Sequence, residues 1–163
     1  MRCFGSVAAA VAAVAVLFAA SSATAQTRVQ LTSGFEPDPS STMIDLSYRS
    51  GNPPRTTDER GVACVGGFNW VDLDIEFTAS NLGLPLIISV GSNVDTTLVV
   101  QDPRDDFYCD DDGGSLGRNP MLYFPTPISG RYRIFVGIYR HPPTGAAADA
   151  PYGARARNAA AGR

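Results

Sequence analysis

The sequence predicts an all-β protein: an antiparallel β-sandwich, jelly-roll-like in its run of short strands, with one disulfide and a signal peptide in front. Three observations lead there. Apolar and polar residues alternate with a period of two, most clearly Val71, Leu73, Ile75 and Phe77 against Trp70, Asp72, Asp74 and Glu76. Clusters of Gly, Pro, Asp and Asn cut the chain at close intervals. Beyond the first 25 residues, no apolar pattern with the 3.6-residue period of a helix reaches a useful length.

The two ends frame this domain. Met1 and Arg2, the apolar run 7–20 and the small residues Ala23 and Ala25 match a secretory leader cleaved before Gln26. That run is too short for a comfortable membrane span, and no later run is longer, so no span is expected after cleavage. The expected division is a signal peptide over 1–25, the sandwich over 26–140 and a low-complexity tail over 141–163. The tail has small residues, Pro and Arg but no alternating apolar pattern, so it is expected to lack order. Export places the protein in the periplasm or the medium.

Within the domain, 28–32 alternates weakly and reads as a first edge strand, followed by the turn-rich connector 34–39. A second strand is expected over 42–49, then a polar loop over 50–61. Next come 71–77, whose three acids are expected to face solvent or a cation, and 84–90, where Pro85 belongs at the strand start. Four more strands follow over 96–101, 106–109, 121–124 and 131–139. The first of their turns is built by Asp102-Pro103-Arg104-Asp105, with Asp bonding nearby amides. The expected core is Leu73, Ile75, Phe77, Leu86, Ile88, Val90, Leu98, Val100, Tyr132, Ile134 and Val136.

Cys3 leaves with the leader, so Cys64 and Cys109 remain. In an oxidising compartment they read as a disulfide worth roughly 4 kcal/mol; the alternative is two separate buried thiols. Two cysteines cannot build a structural zinc site. All 13 basic residues are Arg, and the net charge of −3 gives a nucleic-acid partner no electrostatic support.

The segments DTTLVV, DFYCDDDGG, NPMLYF and SGRYRIFVGIY, with Gly34-Phe35, Pro37-Asp38-Pro39 and Cys64-Val65-Gly66, resemble a group of small exported bacterial β proteins. These in turn look like the bacterial pre-peptidase C-terminal domain, a β-sandwich often appended to secreted proteases. The resemblance covers 34–139 and implies an accessory or binding domain rather than a catalytic one. The pattern of that group continues past Val-Gly-x-Tyr into a further short apolar strand, which the tail here lacks.

Catalytic readings find little to stand on. The one histidine, His141, is followed by two prolines at the start of the tail, where nothing would hold it against a serine or thiol. The alternative of a small secreted hydrolase using loop carboxylates needs two carboxyls facing across a cleft, which neighbours in one loop do not supply. The loop Asp110, Asp111, Asp112, with Asn119 and Asp95, offers hard oxygens for calcium, which wants six to eight of them. The competing reading is a solvated turn in which Asp side chains cap backbone amides. Trp70, Phe107 and Tyr108 form a candidate aromatic patch for stacking on sugars or receiving a protein, against the reading in which they pack on loops. The expected function is therefore a non-catalytic, exported binding or accessory module, calcium-stabilised or not, for an extracellular or envelope protein or polysaccharide.

Overall fold

A computed structural model describes residues 27–47, 49–115 and 117–139 together with the backbone of 152–158. The leader over 1–25 and His141 lie outside the described residues. Nine strands run in order: β1 (Thr27–Thr32), β2 (Ser40–Ile44), β3 (Leu73–Thr78), β4 (Leu86–Gly91), β5 (Thr96–Gln101), β6 (Phe107–Asp110), β7 (Met121–Phe124), β8 (Gly130–Ile138) and β9 (Tyr152–Asn158). They form two sheets, β1-β3-β8-β5-β6 and β2-β9-β4-β7. No helix occurs among the described residues.

Alternation decides what fills the space between the sheets. All eleven residues expected in the core are buried there, joined by Leu31, Ile44, Leu46, Leu122 and others. Tyr132 is held at both ends of its ring. Phe77 and Phe124 meet it edge-on, and its hydroxyl donates to the Ile128 carbonyl and accepts the Ile128 N–H, each at 3.1 Å. Burial pushes that hydroxyl's pKa up to about 12.

Three expectations need correction. The sandwich is not wholly antiparallel, because β1 joins β3 in parallel, from Thr27 opposite Leu73 to Thr32 opposite Thr78. Forty residues, 33–72, separate the two strands, ample for the crossover a parallel pair needs. The tail is not without order either. Over Tyr152–Asn158 it forms β9, which pairs antiparallel with both β2 and β4. Its alternation sets small residues against Arg155 and Arg157, a period of two that carries no apolar signal. Finally, the acids of 71–77 do not simply face water: Asp74 is buried and Asp72 nearly so.

A roof explains the burial of Asp72. The chain from 49 to 72 crosses the outer face of the five-stranded sheet and packs Phe68 and Cys64 on Val99, Cys109 and Phe135. β5 is therefore covered on both sides, which is why Thr96–Val100 are all buried and show no alternation. The Cys64–Cys109 disulfide pins the roof to β6, with Cα atoms 5.3 Å apart. Asp58 adds a polar clasp. Its carboxylate accepts the N–H groups of Arg60, Val62 and Cys109 and pairs with the Arg60 guanidinium at 2.8 Å. Burial would raise its pKa, but these hydrogen bonds outweigh it and hold the carboxyl below its usual range.

Candidate functional site

The roof ends in a bulge, and the bulge displays Trp70. Continuing the β3–β8 register from Leu73 opposite Ile134 would set Ile138 opposite Asn69, but its partner is Gly67. Two extra residues are thus accommodated between Gly67 and Asp72. Gly67 is required at the near end, because a Cβ there would run into the Arg49 carbonyl. The far end is anchored by Asp72, whose N–H donates to the Ile134 carbonyl at 2.9 Å.

The Asp72 side chain completes the support. Its Oδ2 accepts the Val136 N–H at 2.8 Å, and its Oδ1 meets Arg49 Nη2 at 2.6 Å. Arg49 also donates to the Asp45 carbonyl. Burial raises the Asp72 carboxyl's pKa by more than Arg49 and the Val136 amide lower it. Between these anchors Phe68 is fully buried while Trp70 is 87% exposed, the most open of the large apolar side chains described.

The expected aromatic patch does not assemble as one surface. Phe107 packs with the roof cluster, with the Arg55 guanidinium 5.2 Å from its ring centre. Tyr108, next in β6, packs against the main core and meets Phe124 edge-on. Trp70 alone of the three is presented to solvent.

The acidic loop is organised mainly by backbone capping. Asp110 Oδ2 accepts the N–H groups of Gly113 and Met121, each at 2.8 Å. Asn119 is buried; its Oδ1 accepts the Thr96 hydroxyl and its Nδ2 donates to the Ser92 carbonyl. Asp95 pairs with Arg118 at 3.3 Å. Three of the five expected calcium donors are thus engaged in separate hydrogen bonds and ion pairs, leaving Asp111 and Asp112 on the crest. Burial, and then the charges of Asp112 and Asp110, raise the Asp111 pKa. Among the described residues no three His, Cys, Asp or Glu side chains gather as a metal cluster.

Sequence reasoning missed Asp58, Arg49 and the Asp72 support. The adjacent glycines Gly66-Gly67 were the available signal for Arg49, since such a pair marks a close backbone approach. No known family model matches the chain, and no curated protein matches it.

Proposed function

We propose that the protein is a non-catalytic binding or accessory module, exported from the cytoplasm, that engages an envelope or extracellular protein or polysaccharide through Trp70. The observation that carries this reading is the 87% exposure of Trp70 on a bulge held at both ends by buried groups. A tryptophan left in water forgoes a large burial gain, and one held in place surrenders little freedom on binding. Its flat, amphipathic ring suits stacking on a sugar or filling a partner's pocket. The sequence resemblance to accessory domains of secreted proteases supports the same class.

Trp70 is the one tryptophan in the chain, so its fluorescence reports this site directly. Titration with envelope polysaccharide and with fractionated envelope proteins is expected to shift or quench its emission. Trp70→Ala should keep the wild-type circular dichroism spectrum and bind at least about tenfold more weakly, as for an interface anchor. Equal binding by that variant would refute the assignment. Turnover of a substrate lost on Asp→Asn change in the 110–112 loop would instead favour a hydrolase.

A further inference from the structure

At the other end of the five-stranded sheet, β8 begins beside the turn that joins β5 to β6. Gly130, at φ +137°, lets the two segments meet, since a Cβ there would lie 2.6 Å from the Pro103 ring. Between them opens a cleft of about 240 Å³ lined by Gln101, Asp105, Ser129, Arg131 and Arg133, among others. That is room for one small polar ring. Arg131 and Arg133 flank the buried Tyr132 and so leave the same face of the strand.

The arginines here differ from the rest. Arg28, Arg49, Arg55, Arg60 and Arg118 each have a carboxylate partner. The remaining arginines with described side chains, Arg104, Arg131 and Arg133, form no ion pair, and all three lie in this turn or this cleft. Asp102 and Asp105 line the cleft with them, and Asp74, opposite Arg133 in the strand pair, lies buried with Oδ2 3.7 Å from Arg28. Asp102 accepts the N–H groups of Arg104 and Asp106, and Asp105 accepts Gln101 Nε2 at 3.0 Å. Gln101 Oε1 in turn accepts Arg133 Nη1 at 3.2 Å, so that guanidinium is fixed through a neutral group and not by an ion pair. Glu76, across the strand pair from Arg131, is directed to Arg28 at 3.9 Å.

We propose that this cleft is a subsite for the carboxylate of an acidic sugar residue, a hexuronate. The planar guanidinium forks of Arg131 and Arg133 match a carboxylate's two oxygens. The hydroxyl of Ser129, whose oxygen accepts the Ala79 N–H and whose own hydrogen is left to donate, lies on the same cleft for a ring hydroxyl. The assignment does not depend on Trp70, which sits on the bulge at the opposite end of β8.

The test is an amide-shift titration of the ¹⁵N-labelled full chain with galacturonate, glucose, acetate and sulfate at matched ionic strength. Galacturonate is expected to move the Gly130–Arg133 and Asp105 amides with a Kd on the order of millimolar, where glucose does not. Arg133→Gln and Arg131→Gln, both at solvent-accessible positions, should each weaken binding about tenfold, the scale of one charge-assisted contact. Acetate or sulfate binding as tightly as galacturonate would overturn the sugar assignment. Undiminished binding by the Arg131→Gln/Arg133→Gln double variant would overturn the cleft itself.

Discussion

The outer face of the five-stranded sheet behaves as two surfaces joined along β8. Toward Ile138 it lies under the 49–72 roof, where the buried carboxylates are matched: Asp72 by Arg49, Asp58 by Arg60. Toward Arg131 it is open, and there the guanidiniums of Arg131 and Arg133 form no ion pair. Asp74 lies between, buried, with one oxygen lacking a hydrogen bond and the other 3.7 Å from half-exposed Arg28. The contrast follows from solvation. A charge under the roof costs several kcal/mol unless paired, whereas one in the open cleft is hydrated and can wait for a ligand.

The most severe way to break the roofed end is Asp72→Ala. It leaves Arg49 buried without its carboxylate and the Val136 N–H without an acceptor, and should cost about 3–5 kcal/mol. The shift in the urea unfolding midpoint measures it, and a loss below about 1 kcal/mol would show that the roof does not depend on this pair. Replacing both Cys64 and Cys109 by Ser frees a 45-residue span and should cost up to roughly 4 kcal/mol, read by the same unfolding curves.

Acid sharpens the comparison further. Asp58 has a lowered pKa in the fold, so its contribution is complete above the unfolded value of about 3.9 and fades as pH falls through the folded one. Stability measured from pH 6 down to pH 2 should therefore drop less steeply in Asp58→Asn than in the wild type. The open end should be indifferent by comparison: Arg131→Gln is expected to change stability by less than about 0.5 kcal/mol in thermal melts. Smallest is Asp111→Asn. Burial and its acidic neighbours disfavour that carboxylate, so removing the charge should raise the melting midpoint slightly, by a few tenths of a kcal/mol.

Much of this was legible in sequence, for a definite reason. Alternation reports burial on one side, so β1 and β3 to β8 fall within two residues of their expected limits, and the core positions along them are buried. β2 stops at Ile44, short of the expected 49, because the Asp45 side chain caps Ser47 and the chain turns Arg49 inward. The capping by Asp102 and Asp110 could be anticipated, since both act on amides within a few residues. What stayed hidden depends on contacts between distant segments. Nothing local says that the acidic side of β3 will be roofed, that Asp72 will meet Arg49, or that 101–105 and 129–133 will enclose a cleft.

The place of β9 has a consequence in time. It lies between β2 and β4, and Met43 meets Gly153, more than a hundred residues later in the chain. β2 pairs with no other strand among the described residues. As the chain emerges in order, β3 through β8 can all pair while β2 still presents two bare edges, and that strand has no complete partner until residue 156 has been made. One of the earliest strands synthesised is thus among the last to be seated, through the long-range pairing that makes folding slow.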